Sequence, residues 1–241
     1  MAGFSAVDAY ERVAARAEDL QDLYRSGALP RNDDVRTAPH VVPSTEPLDV
    51  VPPPDAWLVI RGSDGKRAYV RDGELRLDDG VLRTRDGADV LGYPGGDARG
   101  AVPVPLRVPE TDRALGRARD ARIEPDGTIA YTRAAIDPRT GARGVERVVL
   151  GRVALARFPA GTHPQRLDAT RAAAPAGVVP HLGTPADGTF PMLAASSRDA
   201  GSIDVIGGVA RLDEAYRAFE AMGAVMRTRA HADKTAVDLV R

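Results

Sequence analysis

His40, His163, His181 and His231 are the side chains of this 241-residue chain best suited to hold a metal or move a proton near neutral pH. They lie far apart, and none has a second histidine or a carboxylate at metal-ligand spacing, so they read as surface or loop residues. Between residues 55 and 158, Asp-Gly recurs at Asp64-Gly65, Asp72-Gly73, Asp79-Gly80, Asp86-Gly87 and Asp126-Gly127. A calcium loop needs alternating oxygen ligands closed by a bidentate glutamate, and no segment has that spacing. Asp-Gly also tolerates the positive φ of tight hairpins, and the pairs are read as turns. Gly92-Tyr93-Pro94-Gly95-Gly96 lacks the Lys-Ser/Thr of a phosphate loop, and Arg61-Gly62-Ser63-Asp64-Gly65 is a hairpin rather than a nucleophile elbow. No catalytic pair stands out among the 34 carboxylates. The expectation is no catalytic residue, no cofactor and no metal, and a protein that is not an enzyme.

Composition narrows the partners. The net charge is -1, and Lys66 and Lys234 are the only lysines among 33 basic residues, so no basic block stands apart as a nucleic-acid footprint. Zero cysteines exclude disulfides and thiolate chemistry. The first 25 residues carry Asp8, Glu11, Arg12, Arg16, Glu18 and Asp19, which leaves no apolar core for a cleaved signal. No later run approaches membrane-spanning length, and membrane insertion is not expected.

Two helical stretches bracket a β-rich middle. Residues 5 to 26 read as an amphipathic helix with Ala6, Tyr10, Val13, Ala17, Leu20 and Tyr24 on one face and Ser5 as N-cap. Trp57–Arg61, Arg67–Arg71, Glu74–Leu77 and Val81–Thr84 predict an antiparallel meander, completed by Val102–Val108, Thr128–Thr132 and a long strand over Val145–Phe158 as a small sheet or barrel. The fold class expected is mainly β with α-helical termini, a small antiparallel β-domain flanked by N- and C-terminal helices that pair as a coiled-coil-like stem. The domains are 1–29, N-terminal helix; 30–54, Pro-rich connector; 55–158, β-domain; 159–202, Pro/Gly/Ala-rich connector; and 203–241, C-terminal helix.

The last helix carries Val205, Val209, Leu212, Tyr216, Phe219, Gly223, Met226, Ala230, Val237 and Val240 at alternating spacings of three and four. At ~1.5 Å per residue it reaches roughly 50 Å, longer than a compact core here needs, so it calls for a partner along its length. Gly207 and Gly208 fall in its first turns, where each costs about 1 kcal/mol relative to alanine.

Gly201-Ser202-Ile203-Asp204, Asp213-Glu214-Ala215-Tyr216-Arg217-Ala218-Phe219-Glu220-Ala221 and Val225-Met226-Arg227-Thr228 follow one another as the C-terminal signature of the bacterial flagellar rod and hook-basal-body axial proteins does. Asp55-Ala56-Trp57-Leu58-Val59, Tyr69-Val70-Arg71-Asp72-Gly73-Glu74-Leu75, Leu91-Gly92 and Leu150-Gly151-Arg152-Val153-Ala154-Leu155 resemble that family's central motifs in family order. The resemblance covers most of residues 55 to 241. Two departures mark a divergent N-terminus: the family's Asn-rich segment after the first helix is missing, and two family glutamates are replaced by Gly207 and Gly208.

The resemblance implies a structural subunit of the flagellar rod, proximal or distal rather than hook. It implies passage through the type III export apparatus without a cleaved signal peptide, and residence in the periplasm-spanning rod of the basal body. Self-assembly and other rod or hook-basal-body proteins are the implied partners. The candidate assembly interface is Tyr10, Val13, Ala17 and Leu20 facing Val209, Leu212, Tyr216, Phe219, Met226 and Val237. If the Phe219 ring is fully buried, deleting it costs several kcal/mol. The alternatives are a non-polymerising flagellar-type adaptor or assembly protein, and a hydrolase with its site in the β-domain.

Overall fold

In the computed structural model, residues 5–22, 25–31, 40–114, 118–136, 142–200 and 205–239 are described, the side chains of the last helix from Ile206 to Ala232. In chain order the elements begin with α1 (Ala6–Gln21), β1 (Val41–Pro43), β2 (Val50–Val51), β3 (Trp57–Arg61), β4 (Arg67–Val70), β5 (Leu75–Asp78), β6 (Val81–Thr84), β7 (Asp89–Tyr93), β8 (Val104–Pro105) and α2 (Glu110–Ala114). They continue with β9 (Arg119–Ile123), β10 (Thr128–Ile136), β11 (Arg143–Val153), β12 (Leu155–Arg157), β13 (Gln165–Arg166), β14 (Arg171–Ala173), β15 (His181–Gly183), β16 (Ala194–Ala195), β17 (Ser197–Asp199) and α3 (Val205–Leu239). The chain divides into a helical unit, to which α1, residues 30 and 31 and α3 belong, and a β unit of 25–29 and 40–200.

The β unit is an open sheet system, not a barrel. Thirteen strands form one sheet along the path β13-β14-β4-β3-β7-β11-β10-β9, with β5, β6, β8, β12 and β15 branching from it. β1 with β17 and β2 with β16 make two further ribbons. The expected meander resolves into two hairpins, β3–β4 and β5–β6, joined through β7. Asp79-Gly80 closes β5–β6 with both residues at positive φ, the two-residue turn that Asp-Gly favours. Asp72-Gly73 does not close a hairpin. Gly73 lies so tightly against β2 that a Cβ would run into the Val50 carbonyl, and its own carbonyl accepts the Val50 N–H at 3.0 Å.

The long strand expected over Val145–Phe158 switches partners midway. β11 pairs with β10 and β7, whereas β12 pairs with β3 and β15, and the Ala154 N–H between them bonds the Leu91 carbonyl at 3.0 Å. Val153, Ala154, Leu155 and Ala156 are buried on both faces, as a central crossover strand requires.

The two Pro-rich stretches are not free-running linkers, because strands within them pair. β1 and β2 sit in the first, and β13 to β17 in the second. The Pro52-Pro53-Pro54 run has no backbone N–H to offer a ladder. Its carbonyls are instead gathered by the buried Arg71 guanidinium, which donates to Pro53, Pro54 and Ala56 at 3.2, 2.7 and 2.9 Å. The same guanidinium lies 5.8 Å from the Trp57 ring centroid.

α1 starts where Ser5 was expected to cap it, with Ser5 Oγ accepting the Asp8 N–H and Asp8 accepting the Ser5 N–H. It ends at Gln21 rather than near 26, because Arg25–Leu29 are built into the β unit; Tyr24 lies outside the described residues. Leu29 joins Trp57, Tyr69 and Tyr93 in an apolar cluster and donates its N–H to Ala169 at 2.7 Å.

Asp72 lies beneath this segment, and burial pushes its carboxyl from 3.8 up to about 6, against the pull of the Glu74 N–H and with help from the Glu74 and Asp86 charges. A carboxyl raised on folding costs stability above its folded value and nothing below its unfolded one. Asp72→Asn, which keeps the acceptor for Glu74, is therefore expected to be about 2–3 kcal/mol more stable than the parent at pH 7.5. The gap should close by about pH 4. Urea midpoints across that range check it; a pH-independent difference would place the cause elsewhere.

Candidate assembly interface

α1 runs antiparallel along the first part of α3. The Tyr10 and Phe219 rings lie 6.4 Å apart, tilted by 59°, and Leu20 packs on Gly208 at the other end. A Cβ on Gly208 would stand 3.0 Å from Leu20 Cδ2, so the glycine that weakens the helix also admits its neighbour. Sixteen residues of α1 span ~24 Å against ~52 Å for the 35 of α3. The C-terminal half of α3 therefore runs on past the α1 contact.

On α3, Gly208 is buried and Gly207, Arg211, Leu212, Ala215, Met222 and Gly223 are half-buried, with Phe219 on the same side against Tyr10. On α1, Ala9 is buried and Val13, Ala17 and Leu20 are half-buried. The expected seam shares Leu212, Phe219 and Gly223 with this covered side but is rotated from it. Tyr10, Val209, Tyr216 and Met226 are 63%, 53%, 52% and 53% exposed. The Val237 side chain lies outside the described residues.

Gly208 and Ala9 were missed as contact residues, though Gly208-Leu212-Ala215 carries the same periodic signal in small side chains. Asp19 was missed too: it is buried and accepts the Arg31 N–H at 2.6 Å, while Arg31 pairs with Glu18 at 2.5 Å. Such a contact has no local sequence pattern.

Phe219 is 37% exposed and rests on Tyr10, so it is not the fully buried ring on which the several-kcal/mol expectation depended. Phe219→Ala should cost the isolated chain about 1–2 kcal/mol, read from the helical circular-dichroism melt. A loss of about 4 kcal/mol or more would mean that the ring is buried in solution.

The fold is that of a mainly β protein with helices at both chain ends, one of them bearing open apolar side chains. No family model matches the sequence. The chain is 31% identical over 125 residues to the flagellar basal-body rod protein FlgF of Escherichia coli K12, covering 52% of this chain and 41% of that protein. It is 30% identical over 99 residues to FlgF of Salmonella typhimurium LT2, covering 41% of this chain and 33% of that protein. The match thus spans well under half the length of each relative.

Proposed function

We propose that this chain is a non-enzymatic structural subunit of the bacterial flagellar rod, polymerising through its terminal helices and β unit. The observation that carries the reading is the pair of stripes on α3. One stripe holds α1, and the second, with Val209, Tyr216 and Met226, remains open for neighbouring helices. In the assembled rod the helices form a coiled-coil-like stem in which Tyr10, Val13, Ala17, Leu20, Val209, Leu212, Tyr216, Phe219, Met226 and Val237 are covered. Its partners are further copies of itself and other rod or hook-basal-body proteins. It reaches the periplasm-spanning rod through the flagellar export apparatus. Similarity to two proteins named as FlgF favours a place in the rod over the hook.

A second reading, a non-polymerising adaptor, draws on the close Gly208–Leu20 contact, which keeps the two helices satisfied within one chain. Purified hook–basal bodies from the source bacterium separate the two. Stoichiometric presence of the chain after detergent and salt washes supports a rod subunit; absence from washed particles rejects it.

A further inference from the structure

The outer edge of β11 points beyond the rod reading. β11 pairs with β10 along its length but with β7 only at Arg152 and Val153. Among the described residues, 143–150 meet no strand on that other side. β9 follows β10 only as far as Thr132. The distal half of β10–β11 is therefore a two-stranded ribbon with an open ladder, which folded proteins normally cover or blunt.

The two faces of the ribbon differ. Cross-strand register places Tyr131, Arg133, Glu146 and Val148 on one face, where Asp112 of α2 accepts the Tyr131 hydroxyl and the Arg133 guanidinium. The other face presents Arg143, Val145, Arg147 and Val149 at a period of two. Val145 is 75% exposed, Val149 49%, and Ile136 across the ribbon 67%. Arg119 and Arg122 of β9 share this face through their pairing with Thr132 and Ala130. Glu124 accepts Arg147 at 2.7 Å and lies 3.6 Å from Arg122, while Arg143 has no ion-pair partner among the described residues. The surface is aliphatic and cationic in alternation.

A second copy of β11 suits it poorly. Antiparallel pairing across a two-fold that sets Val145 against Val149 puts Arg147 opposite itself, and pairing that sets Val145 against itself puts Arg143 opposite Arg147. We propose that the open edge of β11 takes an extended segment of a partner protein as an added strand. Its aliphatic side chains pack on Val145 and Val149 while its alternating carboxylates meet Arg143 and Arg147.

The inference does not rest on the rod reading, and its test is separate. Fluorescence anisotropy with the full chain would compare three labelled, acetylated seven-residue peptides: alternating Glu and Val, the same with Lys for Glu, and the same with a central Pro. Only the acidic peptide should bind, and Arg143→Glu combined with Arg147→Glu should weaken it roughly tenfold or more while leaving the circular-dichroism spectrum unchanged. Arg143→Glu alone, which breaks no internal ion pair, should weaken it in the same direction. Equal binding of the three peptides, no binding at about 1 mM, or binding indifferent to both variants would overturn the proposal.

Discussion

Arg71→Met is expected to weaken the β unit by about 3–5 kcal/mol. Methionine fills much of the same space, so the loss is one of donors rather than of volume. The carbonyls of Pro54 and Ala56, held at 2.7 and 2.9 Å, would lose this donor, while that of Pro53 would keep the Ala56 N–H at 2.9 Å. The triple-proline run has no N–H with which to rebuild a local network. Arg71→Lys should recover only part of the loss, because the shorter side chain does not reach the position of Nη1 and has no flat guanidinium to lay beside the Trp57 ring. Trp57 is the only tryptophan and lies beside Arg71, so its fluorescence in a urea titration reports on this site. A Met variant within about 0.5 kcal/mol of the parent would show that water satisfies these carbonyls instead.

The second large effect is expected at Asp112. This carboxylate is 1% exposed and accepts both the Tyr131 hydroxyl and, at 2.9 Å, the Arg133 guanidinium; Arg133 also reaches Glu146 at 2.9 Å. Burial, and then the Asp112 charge, push the Tyr131 hydroxyl up to about 12, so it stays a donor at any ordinary pH. Asp112→Ala leaves that buried hydroxyl without its acceptor and is expected to cost about 3–5 kcal/mol. Asp112→Asn retains an acceptor and should cost less. Hydrogen exchange should show α2 and the neighbouring part of β10 losing protection first in the alanine variant. Uniform loss across the β unit would argue that the network is not the local clasp it resembles.

Local signals in the sequence were sufficient where the determinant is local. Ser5 and Asp8 form their capping box unaided, and Asp79-Gly80 closes its hairpin because two adjacent residues accept positive φ. The connectors were illegible for the opposite reason. Two- and three-residue strands such as β2, β13 and β16 have no internal periodicity, and their pairing is dictated by remote partners. Asp72-Gly73 looks like any other Asp-Gly pair until β2 is laid across it. Arg71 reads as one arginine among many until the carbonyls of Pro53, Pro54 and Ala56 gather around it.

In the helices, spacing gave the existence of a stripe but not its rotation. Small residues at Ala9 and Gly208 decide which side can approach closest, and hydrophobicity weighs them lightly beside Tyr10 and Val209. The resulting split between a covered and an open stripe is what the proposed assembly uses.

Sedimentation velocity of the full chain against Met226→Asp, alone and mixed with neighbouring rod proteins, tests that assembly most directly. Met226 is half exposed, so a carboxylate there should leave the isolated chain folded. The rod account expects the parent to assemble with rising concentration or bind a neighbour, and the Asp variant to remain a folded monomer under the same conditions. A parent that stays monomeric with every neighbour, or a variant that assembles as well as the parent, would contradict it.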